Sequence, residues 1–232
     1  RAEDIVLVGQ GGARVNAIPR QIARIFEMKT DTLPPLVLMS FTANDFCNPK
    51  IFTDPMERLK RYFDVSLQES FDKAERYMIA HPKGTRFVVL APLDVANILT
   101  NEDVLQQTVQ FEGLGKISCG QVRRGDTRKT FLSRQMTDSL QTACKAVLQT
   151  KPTDTDRLDR IRLIQSEFNE IWKKHIRVLN EKYNSKNIQF EYVESTRDMK
   201  FAKGDVANDC FHPGVNGHAK VADHVLKTVF GK

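Results

Sequence analysis

Four short apolar runs, each closed by turn-forming or polar residues, constrain what this chain can fold into. They cover residues 5–8, 36–40, 87–91 and 188–193. Runs of this length bounded by Gly, Pro or polar loops read as buried strands rather than helices. Stretches with apolar residues at three- and four-residue spacing separate them. Strand, helix, strand, long helix, strand, helix is the rhythm of an α/β protein, because parallel strands need helical crossovers that also cover the sheet. The expected architecture is therefore a three-layer α/β/α sandwich with a mainly parallel sheet. In such folds ligands sit beyond the carboxyl ends of the strands.

The helical stretches carry their own signals. Residues 17–28 place Ile18, Ile22, Ile25 and Phe26 on one side, with Pro19 in the first turn, where its missing N–H costs nothing. Asp54 followed by Pro55 marks a helix start. A longer helix is expected over 65–81 on the stripe Leu67, Phe71, Ala74, Tyr77 and Met78. A short one is expected over 94–99, and further helices over 131–148, 154–184 and 216–229. Residues 101–130, with four Gly, one Cys and a basic cluster, read as a less regular surface insertion. With 232 residues, 41% of them hydrophobic, no internal repeat and no linker, one domain spanning 1–232 is expected.

Composition narrows the function. There is no run of about eighteen apolar residues of the kind a membrane-spanning helix needs. The formal charge of +6 is concentrated at Arg20/Arg24 and at Arg123/Arg124/Arg128/Lys129. Such clusters read as a solvated basic surface or as an attraction to anionic lipid headgroups. Zinc-finger spacing and aromatic-basic interleaving are both missing, which argues against nucleic acid. Cys47, Cys119, Cys144 and Cys210 form no C-x-x-C pair, so metal and thioredoxin chemistry are not indicated. Their even number is compatible with two disulfides in a secreted or lysosomal/vacuolar protein, or with four buried thiols.

Three clusters at strand ends carry chemistry. Asp209-Cys210-Phe211-His212-Pro213 precedes the last helix. Asp and His three apart let a carboxylate fix the imidazole tautomer so that the ring serves as general base for a hydroxyl. Ser40-Phe41-Thr42-Ala43-Asn44-Asp45 follows the second strand, where an Asn amide can donate to a developing oxyanion. Gly9-Gln10-Gly11-Gly12 follows the first strand, where glycine allows a backbone N–H to approach a ligand. Taken singly, each is as well explained by a capping pair, an Asx turn or a tight turn.

Their order, a glycine loop, then Asn-Asp after the next strand, then Asp-x-x-His-Pro before the last helix, resembles the SGNH (GDSL-like) hydrolase superfamily over residues 5–229. The resemblance implies an SGNH/flavodoxin-like sheet and serine ester hydrolysis without a cofactor. It makes Asp209 the orienting acid, His212 the base, and Gly12 N–H and the Asn44 amide the oxyanion donors. Asn44-Asp45-Phe46-Cys47-Asn48, Glu75-Arg76-Tyr77-Met78, His81-Pro82-Lys83-Gly84 and Asp209-Cys210-Phe211-His212-Pro213 are most like its acyloxyacyl hydrolase and phospholipase B-like branch. That likeness implies a fatty acyl ester of a lipid as substrate, and disulfides pairing Cys47 with Cys119 and Cys144 with Cys210.

Two departures stand out. Where the family reads Gly-x-Asn-Asp, this chain reads Thr42-Ala43-Asn44-Asp45. No Gly-Asp-Ser occurs, and none of the nine serines lies on a strand-to-loop junction upstream of the glycine block. The expectation is that a companion polypeptide segment carries the nucleophilic serine on the first strand of the sheet, by processing or truncation. The alternative is a catalytically inactive module that binds lipid or carbohydrate.

Overall fold

In a computed structural model the structure describes residues 8, 13–28, 35–41, 43–79, 84–111, 115–124, 144–148 and 150–231. The chain forms two compact units interleaved along the sequence: residues 1–45, 54–91 and 166–194 in the first, and 46–53, 92–165 and 195–232 in the second. The expected strand at 5–8 lies outside the described residues except for Val8, and the expected helix at 131–148 is described only from Cys144.

The first unit is built on a parallel sheet of β1 (Leu36–Ser40), β2 (Thr85–Leu90) and β5 (Ile188–Val193), in the order β1-β2-β5. Val37 pairs with Phe87, and Phe87 with Phe190, so both joints are in register along the same face. Side chains alternate across a sheet, and this face carries Val37, Met39, Thr85, Phe87, Val89, Ile188 and Phe190, all buried. It is covered by α2 (Met56–Ile79) and by the part of α7 (Thr155–Tyr183) that belongs to this unit.

The cover is aromatic. Phe87 stacks on Phe190 at 4.8 Å, Phe190 meets Phe71 edge-on at 5.7 Å, and Phe71 meets Trp172 edge-on at 6.1 Å. Phe63 and Phe168 join the two helices in a parallel stack at 3.9 Å. Offset and edge-on ring pairs add about 0.5–1.5 kcal/mol each beyond the area they bury. Before β1, α1 (Ile18–Met28) buries Ile18, Ile22 and Ile25, as its spacing predicted, and packs on α2. The helix starts just after Asp54-Pro55, as expected, and runs on without a break into the one expected at 65–81, because Met56 to Tyr62 continue the same periodicity; Leu59 and Phe63 extend the buried stripe.

The open edge of β5 is closed by a side chain. Asn180 of α7 donates from Nδ2 to the Phe190 carbonyl at 2.8 Å and accepts from the Phe190 N–H at 2.7 Å. One amide thus satisfies both backbone groups that Phe190 presents at the edge.

The second unit contains α3 (Val95–Thr100), α4 (Glu102–Gln106), a hairpin of β3 (Thr108–Phe111) and β4 (Gly115–Ser118), α5 (Cys119–Arg124), α6 (Lys145–Leu148), the start of α7, and α8 (Val215–Phe230). Asp94 and Asn101 cap α3 and α4 by accepting from backbone N–H groups two or three residues on. Residues 102–111 and 115–124 therefore form short regular elements, within a segment that composition marked as less regular. Val104, Val109 and Cys119 are buried, a pattern spread over three short elements that no single period reveals.

Both disulfides lie in this unit, and their pairing corrects the expectation. Cys47 bonds Cys144, with Cα atoms 4.3 Å apart, and Cys119 bonds Cys210, with Cα atoms 5.3 Å apart. The reason is local. Cys47 leads into the 3-10 turn Pro49–Phe52, which packs on α6 just after Cys144. Cys119 sits at the buried start of α5, tied back by its N–H to Gln107 O at 2.8 Å.

Non-reducing peptide mapping of the native protein should therefore recover Cys47 linked to Cys144 and Cys119 linked to Cys210. Replacing both Cys47 and Cys144 with Ser should lower unfolding stability by about 2–4 kcal/mol in a denaturant titration, because the bridge closes a long loop. Recovery of a Cys47–Cys119 peptide would contradict this pairing.

Candidate active site

The loop between β5 and α8 is built to hold Asp209 and His212. Val206 and Pro213 face each other as an isolated antiparallel bridge. Ala207 N–H donates to His212 O at 2.8 Å and Gly214 N–H to Asp205 O at 2.7 Å, so the segment doubles back on itself. At its tip Cys210 N–H donates to Ala207 O at 2.9 Å, and Cys210 takes a left-handed conformation, φ 62°. That conformation costs a non-glycine residue free energy and persists only where surroundings impose it. Here the disulfide to Cys119 pins the residue between Asp209 and His212.

Three further groups grip the loop. Gln107 is buried; its Nε2 donates to Val206 O at 2.7 Å, and its Oε1 accepts from Gly204 N–H at 2.9 Å. Asp205, also buried, accepts from Ala202 N–H at 2.6 Å and pairs with Lys220 of α8. Gly217 lets α8 come close, since a Cβ there would lie 2.3 Å from Asp205 O. Neither Gln107 nor Asp205 belongs to a motif, and sequence reasoning missed both.

The pair itself is tightly joined. Asp209 Oδ2 lies 2.5 Å from His212 Nδ1, while Oδ1 accepts from the N–H groups of Phe211 and His212, each at 3.0 Å. Phe211 is buried, and its ring stands edge-on to the imidazole at 5.3 Å. Half burial pushes the Asp209 carboxyl up, but the hydrogen bonds from the imidazole and two backbone N–H groups outweigh it and leave the pKa below the ordinary value. The Asp209 hydrogen bond raises the His212 pKa, against a smaller opposing effect of desolvation. The imidazole side chain is 61% exposed, and its Nε2 has no hydrogen-bond partner among the described residues. With Nδ1 held by a carboxylate, Nε2 is the nitrogen left to take a proton.

The other expected residues belong to the first unit. Gly12 lies outside the described residues, but Ala13 is described, and Asn44 Nδ2 donates to Ala13 O at 3.0 Å. The Asn-Asp block thus meets the end of the glycine block. One of the two Asn44 amide N–H groups serves that contact. Asp45 is buried beside it and accepts from Val15 N–H at 3.3 Å, capping the turn that leads into α1. Burial pushes the Asp45 carboxyl up to about 7, although the Val15 N–H and the Arg14 guanidinium draw it down.

Among the serines, Ser195 Oγ lies 2.8 Å from His224 Nε2. No carboxylate orients His224 among the described residues, unlike His212, and we assign that pair no catalytic role.

A family model of GDSL-like lipases and acylhydrolases matches residues 2–225. The chain is a member of that family, whose members are typically carboxylic ester hydrolases, and its parallel sheet with flanking helices is the expected α/β/α class of fold. Comparisons with curated proteins and with solved structures gave no match.

Two outcomes follow from the electrostatics. An imidazole whose pKa is raised acts as a base only above that pKa, so kcat/KM for ester hydrolysis should climb with pH along a limb centred above 6.5. Asp209→Asn should lower kcat by about 10⁴-fold and move that limb down. Asp45 carries the opposite signature to an ordinary surface carboxylate. Its folded pKa is raised, so its share of stability is present below 3.8 and is lost as pH rises towards about 7. Asp45→Asn should flatten the fall in Tm between those values, measured by thermal melts across pH.

Proposed function

We infer that this chain is the larger part of a serine ester hydrolase acting on fatty acyl esters of lipids. The observation that carries the reading is the Asp209–His212 pair, with Nδ1 engaged and Nε2 open to solvent. In this reading the nucleophilic serine lies on a companion polypeptide segment that adds the first strand to a single SGNH domain. Its Oγ attacks the ester carbonyl while its proton passes to His212 Nε2. Asp209 stabilises the imidazolium, and Gly12 N–H and the free N–H of Asn44 hold the tetrahedral oxyanion. Collapse expels the alcohol with the proton from His212. Water, deprotonated by the same nitrogen, then releases the fatty acid from the acyl-serine.

Fatty acyl substrates and the acyloxyacyl hydrolase-like branch are supported by the Asn44-Asp45-Phe46-Cys47-Asn48 and Asp209-Cys210-Phe211-His212-Pro213 phrases. A secreted or lysosomal/vacuolar location agrees with two disulfides, and among the described residues no helix is long and apolar enough to cross a membrane. The competing reading, an inactive module that keeps the fold, draws on the missing Gly-Asp-Ser.

The native protein, isolated with any segment that accompanies it, should hydrolyse a chromogenic acyl ester, and His212→Ala should cut kcat by a thousandfold or more, about the loss expected for a triad base. Intact mass and N-terminal sequencing of the same preparation should show a serine-bearing segment. Undiminished turnover in His212→Ala overturns the assignment of the base, and no turnover by the native protein favours the inactive module.

A further inference from the structure

Two neighbouring side chains, Asn44 and Asp45, grip the segment that follows the glycine block. Arg14 of that segment is extended, φ −105° and ψ 176°. In extended backbone the carbonyl before a residue and the N–H after it point to the same side. Ala13 O and Val15 N–H therefore face one way, and the turn after β1 meets both. Asn44 Nδ2 donates to Ala13 O at 3.0 Å, and Asp45 Oδ2 accepts from Val15 N–H at 3.3 Å. A donor and an acceptor on adjacent residues thus take the two backbone groups that flank Arg14, all within the first unit.

One hydrogen bond is a pivot, whereas two fix an orientation. Capping the turn into α1 accounts for the Asp45 bond alone. The second bond, of opposite polarity and one residue away, makes the pair a clamp. The Asn44 carboxamide is planar, and its two N–H bonds point in fixed, different directions within that plane. With one of them on Ala13 O, the direction of the other follows from where Ala13 O lies. That position is set in turn by the bond from Val15 N–H to Asp45. Val15 and Asp45 are both buried, so water competes little for the bond.

We propose that Asp45 is a positioning residue for the oxyanion hole: by holding Val15 N–H it fixes Ala13 O, and through Ala13 O it aims the remaining Asn44 N–H at the tetrahedral oxygen. The inference rests on the reading of Asn44 as an oxyanion donor. Asp45 acts through Asn44 and needs no contact with substrate, so its effect falls on the transition state rather than on the substrate complex. Asp45→Ala, Asn44→Ala and the double variant are compared with the native protein, isolated with any segment that accompanies it, on a chromogenic acyl ester. Asp45→Ala should lower kcat by about ten- to a hundredfold, as for a donor displaced by about 1 Å, with KM little changed. It should weaken by a similar factor the binding of an alkylboronic acid, whose serine adduct places an oxygen where the oxyanion forms. In the Asn44→Ala background the same change should cost less than about threefold, because its target is gone. Asp45→Asn keeps an acceptor for Val15 N–H and should restore most of kcat. Val15→Pro removes the same N–H at the first position of its turn, where proline is tolerated, and should reproduce the loss even if Asp45→Ala does not fold.

The clamp is also read without hydrolysis. In NMR spectra the Asn44 side-chain amide should give two well-separated proton signals in the parent, which converge in Asp45→Ala and stay apart in Asp45→Asn. Parent-like kcat in Asp45→Ala, or a loss that adds in full to that of Asn44→Ala, overturns the proposal and leaves Asn44 as a donor. No loss in Asn44→Ala removes the donor reading and the proposal with it. If the parent hydrolyses no ester, converging Asn44 signals in Asp45→Ala uphold the positioning of Asn44 and remove only the enzymatic reading, and unchanged signals overturn it.

Discussion

A parallel sheet of three strands must have its faces covered, because it is too narrow to bury them itself. In the first unit rings meet that requirement on the face that carries Val37, Phe87 and Phe190. Phe87 and Phe190 cross the sheet, Phe71 comes down from α2, and Trp172 comes down from α7. Helix spacing and strand register have to agree for these groups to meet, since a one-residue slip at β5 would turn Phe190 to the other face. The placement of β1, and of the Asn44-Asp45 turn that follows it, depends on this layer.

The second unit solves a different problem, that of holding a short polar loop still at the surface. Water competes for every hydrogen bond in such a loop, so backbone pairing alone seldom fixes it. Here a buried amide, a buried carboxylate, a cystine and a side-chain-free position on α8 all bear on residues 204–214. The result is an imidazole ordered on one nitrogen and open on the other. Because the supports come from α4–α5 and α8, the geometry of two side chains depends on packing spread over more than a hundred residues of sequence.

How much of this was legible in the sequence follows the range of the interactions. The strands at 36–40 and 188–193 and the helices starting near Ile18, Thr155 and Val215 are set by local periodicity, and they lie where the pattern places them. The contact of Asp209 with His212 is also local, three residues apart, and was readable as a motif. Long-range choices were not. Four cysteines allow three pairings, and proximity in the fold decides among them; nothing in their spacing favours Cys119 with Cys210 over Cys119 with Cys47. Gln107 carries no motif because its role comes from where its amide points. The contact of Asn44 with Ala13 O joins two blocks that the sequence shows only as neighbours in order.

The side chain of Asn180 gives the sheet a direction of growth. A strand arriving beside β5 would have to displace an amide that already occupies the donor and the acceptor of Phe190, giving up two good hydrogen bonds before making its first. No comparable side chain blocks β1 among the described residues, and β1 is joined through its other edge to β2. An added strand, from this chain or another, therefore meets less resistance on the side of the sheet that leads into Asn44.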